Sequence, residues 1–374
     1  MTTALPSQNE KTVYARQIAF AAAFLLPAAR FLEAPSILSK YASGDILLPA
    51  ILHFLLQSLV LLSIVYAASR SQTTLLERAK AFLGASMPIF YVLFALFYVF
   101  TAVLPILDLE KFVYAAFFDT TPTTFSFGVF FLFSAYACVK GIKSISRSAD
   151  LCLFLFLFPF LAIIAMALPA ARFSNLMPLF GTDFKSALTT TLLTIPHFFD
   201  AILLLPLIAN LKYKEGDGAK IMVGFWAGAL LSLLFLATFY AVFSSLAPRE
   251  HYAFSKIAQY FPALSVIGRI DLIFIYLLSV VLLFYTCLPL QYATESIASL
   301  CHTQRKTWIS AIFHLLLFIA ALFLNKYYDT FYQIISRRLF WVFIFIADMV
   351  PPFLIFLPKN PKKTKKQNKE IIHA

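Results

Sequence analysis

The sequence predicts an all-α integral membrane protein of ten transmembrane helices, and three observations carry that prediction. Of its 374 residues, 61% are hydrophobic and 13% charged, with a mean hydropathy of +0.83. Soluble domains sit near roughly 45–50% and about 25%. Apolar runs recur along nearly the whole chain, each close to or above the ~20 residues that carry a helix across a bilayer. These runs do not alternate in polarity over about ten residues, as the strands of a membrane barrel do. The aromatic share of 17%, including 43 Phe, excludes disorder.

The spans follow in order. A polar start of about a dozen residues, with no small-residue cleavage site after the first apolar run, predicts no cleavable leader. Span 1 covers 15–38 and span 2 covers 46–67. The segment 68–84 carries Arg70, Glu77, Arg78 and Lys80 among leucines and alanines, and reads as a short amphipathic helix on the membrane surface. Spans 3, 4 and 5 cover 85–107, 123–140 and 151–171, the last two separated by a basic loop. Spans 6 and 7 cover 187–210 and 221–246. The connection 247–269 mixes Pro248, Arg249, Glu250, His251 and Tyr252 with Tyr260, Phe261 and Pro262, which suits an interfacial helix on the outer face. Spans 8, 9 and 10 cover 270–295, 307–324 and 339–357. The domain assignment is then a membrane domain over 1–358 and a flexible basic tail, KNPKKTKKQNKEIIHA, over 359–374.

Charge sets the expected topology. The net charge of +12 is confined to short loops and the tail, which is membrane-protein rather than nucleic-acid charging. With the N-terminus inside, the inner segments hold 19 of the 30 basic residues, so both termini are expected in the cytoplasm. Cys138, Cys152, Cys287 and Cys301 then fall at or near inner span ends, a reducing side that favours free thiols. The chain has no CxxC pair, no phosphate-binding glycine loop and no zinc-binding HExxH, so no metal, cofactor or enzymatic role is expected.

Glycine is scarce, ten in all, so interruptions of the helices are sought at proline. Pro27 falls near the middle of span 1 and Pro196 near the middle of span 6. A mid-helix proline removes a backbone hydrogen bond and clashes with the preceding turn. In a bilayer the freed groups must face protein or a wet cavity. Polar groups flank both prolines: Pro27-Ala28-Ala29-Arg30 with Glu33 in the first, Pro196-His197-Phe198-Phe199-Asp200 in the second. Spans 1–5 (about 13–172) and 6–10 (about 185–358) therefore read as two inverted repeats with matching broken helices, the pattern that points to a midplane binding site. Three arrangements of the charges stand open. Arg30 pairs with Glu33 along one helix; or Arg30 and the broken backbone hold a carboxylate while Asp200 and His197 hold an amine; or Arg30 and Asp200 form a latch that ligand replaces. Tyr98 in span 3 and Tyr276 in span 8 are further candidates at cavity depth. His53, His314 and Asp348 read as interhelical hydrogen-bonding groups.

Several short stretches carry a family resemblance. Tyr14-Ala15-Arg16-Gln17 leads into span 1. Tyr136-Ala137-Cys138-Val139-Lys140-Gly141-Ile142-Lys143-Ser144-Ile145-Ser146-Arg147 joins spans 4 and 5. Asn175-Leu176-Met177-Pro178-Leu179-Phe180 precedes span 6, and Gly268-Arg269-Ile270-Asp271 opens span 8. In order and spacing these resemble the B subunits of bacterial spore germinant receptors, within the amino acid–polyamine–organocation transporter superfamily. The resemblance implies a five-plus-five inverted-repeat, LeuT-like fold in the inner membrane of an endospore. It also implies a small nutrient ligand, such as an amino acid, and two partners, an A subunit and a lipoprotein C subunit. An amino-acid/cation symporter of the same fold is the alternative. Superfamily transporters usually have glycine at the first break, where this chain has Leu25-Leu26-Pro27-Ala28-Ala29, so the interruption here rests on proline.

Overall fold

Lipid offers no partner for a backbone amide, so a chain this apolar must satisfy its amides within helices. The computed structural model describes residues 13–31, 33–42, 44–71, 73–117, 128–177, 181, 183–250, 252–259, 271–301, 303, 305–327, 330, 342 and 345–358. Its α-helices are α1 (Ala15–Ala28), α2 (Ala34–Tyr41), α3 (Leu47–Ser69), α4 (Leu75–Leu83), α5 (Met87–Phe117), α6 (Gly128–Lys140) and α7 (Ile142–Ala167). The second half holds α8 (Phe184–Thr194), α9 (Asp200–Ala209), α10 (Asp217–Phe243), α11 (Ala253–Gln259), α12 (Asp271–Leu300) and α13 (Lys306–Lys326). A π turn at Phe345–Met349 and a 3-10 helix at Pro351–Phe356 follow.

Among the described residues, six stretches are long and apolar enough to cross a membrane, and four shorter apolar helices complete the set at Ala15–Ala28, Gly128–Lys140, Asp200–Ala209 and Phe345–Phe356. These ten fall in order on the ten predicted spans, and the protein is an integral membrane protein. Several helices outrun their predicted ends because hydropathy marks only the part in hydrocarbon. Helix α7 begins at Ile142, well before residue 151, and its polar first turns carry Asp150, which pairs with Arg16 at 3.0 Å.

Helix α1 lies at the centre, packed on α7, α9, α10 and α12. Its contact with α10 is backbone-close because both sides are small. A Cβ on Gly224 would stand 2.4 Å from the Cα of Ala19, and one on Gly228 would stand 2.5 Å from the carbonyl oxygen of Ala22. Glycine spaced by four against an alanine run is a common way for membrane helices to approach. On the far side α12 packs on α5 and α7, and α13 packs on α6.

The amphipathic segment after span 2 is α4. Thr74 caps its N-terminus by accepting from the Glu77 amide, and Glu77 accepts in return from the Thr74 amide, each at 3.3 Å. Its Arg78 is fully buried and donates to the carbonyls of Ala67, Leu357 and Pro358 at 2.5, 3.0 and 3.0 Å, while Arg70 donates to that of Ile355. The end of the last span is thereby tied to α3 and α4.

The connection after span 7 holds helix α11, which packs one face on the bundle: Ala253, Phe254 and Ile257 are buried, while Lys256 is exposed. Phe254 donates its amide to the Phe31 carbonyl at 2.9 Å and packs its ring 4.5 Å from the Phe31 ring. An aromatic face that suits lipid suits a cluster of phenylalanines equally, and here the cluster takes it. His251, Tyr260, Phe261, Pro262, the Gly268-Arg269-Ile270 stretch, Pro178-Leu179-Phe180 and the tail 359–374 lie outside the described residues.

Candidate functional site

Both predicted breaks are present. In span 1, α1 ends at Ala28 and α2 begins at Ala34, so the interruption is bracketed by Pro27 and Pro35. The last turn tightens, with Arg30 N donating to Pro27 O at 2.9 Å and Phe31 N to Ala28 O at 3.3 Å. In span 6, α8 passes through a 3-10 turn at Ile195–His197, and α9 starts at Asp200. The half-helices run in matched pairs. Val13 bridges Leu211 where α1 begins and α9 has ended, and Thr190 of α8 donates to the carbonyl of Tyr41 in α2 at 2.9 Å.

The breaks meet through one ion pair. Arg30 Nη1 donates to Asp200 Oδ1 at 2.6 Å and Nη2 to Oδ2 at 2.5 Å, with side-chain exposures of 1% and 2%. Arg30 therefore pairs across the bundle with Asp200, not along its own helix with Glu33. Nη1 also reaches back to the Leu26 carbonyl at 3.2 Å, a backbone acceptor at the interrupted helix end. Asp200 is the first residue of α9, where the helix dipole favours a negative charge. The adjacent Ala201 amide, one of the unsatisfied donors of that helix start, donates to Gln57 Oε1 at 3.0 Å.

Aromatic rings enclose the pair. The Arg30 guanidinium carbon lies 4.2 Å from the centroid of Phe198 and 5.5 Å from that of Phe54. Phe198 in turn stacks on His53 at 4.0 Å with the rings parallel to within 1°. His53 Nε2 hydrogen-bonds Thr194 Oγ1 at 2.7 Å, tying span 2 to the end of α8. Around Phe31 the rings of Phe156, Phe160, Phe235 and Phe254 stand 4.5–6.2 Å away and cover the first break on the α11 side. Arg30 Nε, His53 Nδ1 and Asp348 Oδ2 are buried without a hydrogen-bond partner among the described residues. Three such atoms in one region mark a site with polar capacity to spare.

The predicted residues sort as follows. Pro27, Ala28, Ala29 and Arg30 form the first break, and His197, Phe198, Phe199 and Asp200 form the second, together with the Pro196 backbone; the Pro196 side chain lies outside the described residues. Tyr98 is fully buried beside them. Its hydroxyl donates to the Ile202 carbonyl at 2.7 Å, so it anchors the first turn of α9. Phe199 packs edge-on to Phe97 at 5.8 Å. Tyr276 is not part of this cluster: it is 72% exposed near the start of α12, as a lipid-facing tyrosine is.

A family match spans most of this architecture. The family described as spore germination protein matches residues 15–328. The chain belongs to the spore germination protein family. Curated proteins yield no sequence match. Among solved structures, this spore germination protein is similar to the manganese transporter of Eremococcus coleocola in complex with an aromatic bis-isothiourea compound. The TM-score is 0.60 at 14% identity, over 94% of this chain and 80% of that one. Two single-residue mutants of the same transporter give 0.60, 14%, 94% and 81%. At that identity the likeness carries the fold, the LeuT-like arrangement of ten spans with helices 1 and 6 broken.

The spore germination protein also holds site residues that the sequence did not single out. Gln57 joins the Ala201 amide to Asp348, donating Nε2 to Oδ1 at 2.6 Å, so span 10 reaches the break through span 2. His53 and Gln57 are four apart, on one face of α3. That spacing is the signal that marks them. His314 sits elsewhere, hydrogen-bonded to Ser134 Oγ at 3.0 Å and to the Ser310 carbonyl at 2.8 Å, as an interhelical group.

Proposed function

We propose that this spore germination protein is the membrane subunit of a nutrient germinant receptor, and that it detects a small zwitterion, such as an amino acid, at the junction of the two breaks. The observation that carries the reading is the buried, bidentate Arg30–Asp200 pair. A zwitterion offers a carboxylate to Arg30 and an ammonium to Asp200. It therefore replaces each half of the pair by a like-charged group without stranding a buried charge, which costs about 3–5 kcal/mol when one partner is removed. Arg30 Nε supplies a further donor for the carboxylate, and His197, Phe198 and Phe199 border the space for the side chain. Opening the pair releases the α1–α2 junction from the α8–α9 junction, and that movement is the signal.

In this reading the chain sits in the spore inner membrane with both termini on the cytoplasmic side, as the basic-residue split favours. Its repeats run from about 13 to 172 and from about 185 to 358. Its partners are a germinant-receptor A subunit and a lipoprotein C subunit. A symporter for an amino acid and a cation is the second reading, favoured by the transporter fold.

The test is Asp200→Asn, which keeps size and one hydrogen bond but removes the charge. The nutrient concentration for half-maximal germination should rise roughly 10- to 150-fold, the range of one lost charge-assisted hydrogen bond, with membrane abundance unchanged. An unchanged dose–response excludes Asp200 as the ammonium partner. If the variant fails to accumulate, Arg30→Gln/Asp200→Asn removes both charges together, and a double variant that accumulates and still responds normally overturns the reading.

A further inference from the structure

A cavity of about 290 Å³ lies at the N-terminal face of the bundle, apart from the broken-helix site. Its walls come from α4 (Leu75, Ala79), the first turns of α5, the end of α9 (Leu205, Ala209) and the C-terminal 3-10 segment (Phe353). The lining is almost wholly apolar, with Tyr292 and Phe94 at the back. Along α5 it runs from Met87 to Phe94, seven residues or about 10 Å. That length is less than half of the ~30 Å hydrocarbon core.

Two arginines nearby are already spent on the protein. Arg78 and Arg70 hold the carbonyls of Ala67, Ile355, Leu357 and Pro358, which ties the C-terminal segment that lines the cavity to α3 and α4. Two exposed lysines lie close to the lining along the chain. Lys80 follows Ala79 on α4 and holds its ammonium 5.9 Å from the centroid of the Tyr91 ring, and Lys212 lies three residues beyond Ala209, past the end of α9. Exposed Phe82, Phe353 and Phe356 border the cavity. An apolar slot about 10 Å long, bordered by exposed phenylalanines and with two exposed lysines close along the chain, suits an acyl chain carried by a negatively charged headgroup.

We propose that this cavity binds one acyl chain of an anionic phospholipid, with Lys80 and Lys212 receiving the headgroup. The occupant lies against Leu205 and Ala209 of the half-helix α9. It also backs Tyr292, whose ring stands 5.0 Å from that of Tyr98, the residue that holds the first turn of α9. Lipid in the slot thus supports α9 from behind. The proposal does not depend on what ligand the breaks recognise.

The test uses the full chain purified in mild detergent and exchanged into nanodiscs of equal palmitoyl-oleoyl phosphatidylglycerol and phosphatidylcholine, then released for native mass spectrometry. One retained phosphatidylglycerol per chain is expected, preferred roughly 30-fold over phosphatidylcholine for two surface lysines. Lys80→Gln/Lys212→Gln should lose that preference. Ala79→Phe and Ala209→Phe, which fill the slot, should lose the retained lipid while the helical circular dichroism stays unchanged. Equal retention by wild type and either filled variant overturns the proposal, as does equal retention of the two lipids. Displacement by sodium palmitate at equimolar concentration assigns the slot to a free fatty acid and also overturns it. If neither filled variant folds, Phe82→Trp at the exposed rim decides. In detergent, one equivalent of acyl-brominated phosphatidylglycerol should quench its fluorescence more than one equivalent of acyl-brominated phosphatidylcholine; equal quenching overturns the proposal.

Discussion

Arg30 and Asp200 are matched in geometry as well as sign, two donors on two acceptors, and neither reaches water. That arrangement sets a strict condition on any ligand. A carboxylate alone would release Asp200 as an unpaired anion, and an amine alone would release Arg30. Each leaves a buried charge uncompensated, and its cost exceeds the roughly 1.5–3 kcal/mol gained from one charged hydrogen bond. Germinant analogues lacking one charge, such as the α-hydroxy acid or the decarboxylated amine, should therefore fail to trigger germination at a hundred times the effective amino-acid concentration. They should also fail to compete with it. Competition by either analogue in a dose–response series would show that the pair does not open as a unit. The ion pair was legible in the sequence as one of three arrangements, because arginine and aspartate beside two mid-span prolines have few other ways to be satisfied. The choice among the three needed coordinates, since Glu33 lies within reach along the chain and Asp200 is reached only through the fold. Tyr98 lies beside the breaks, where its hydroxyl holds the backbone of α9. Tyr276 was misplaced because an aromatic at a span start has the same sequence whether it faces lipid or cavity.

At the scale of elements, the tightest contact is between α1 and α10, where Gly224 and Gly228 meet Ala19 and Ala22. Any side chain on Gly228 would collide with backbone, which cannot swing away as a side-chain tip can. Overpacking of this kind costs about 1–3 kcal/mol and more against main chain. Gly228→Leu should lower the thermal midpoint of the purified protein by several degrees and reduce its abundance. Val223→Leu, at an exposed position on the same helix, should do neither. Equal melting of the two variants would show that α1 and α10 pack less closely than their backbones indicate. The glycine spacing stands in the sequence, but nothing there says which helix the two glycines face. The packing of Phe254 on Phe31 was not readable, because the apolar residues of α11 suit lipid and protein alike. The same limit hid the link from Gln57 to Asp348: α3 is apolar on most sides, so only its few polar residues reveal which face meets the bundle.

For the molecule as a whole, the ten spans and their order were legible because each crossing needs an apolar run of fixed length, and the breaks because proline cannot be disguised. One consequence of the paired breaks is electrical. Arg30 and Asp200 sum to zero, and in the proposed reading a zwitterion inserted between them adds zero, so the site would hold the same net charge before and after binding. A transmembrane voltage acts on net charge carried into the field at about 2.3 kcal/mol per elementary charge per 100 mV, and a zwitterion carries none. Detection should therefore be electrically silent. In proteoliposomes polarised with a potassium gradient and valinomycin, the half-saturating amino-acid concentration should match that in depolarised vesicles. A symporter that draws in a cation with its amino acid would instead bind or accumulate more under an inside-negative potential. A clear voltage shift would transfer the case to that second reading, and its absence would mark a protein that senses its nutrient without moving current.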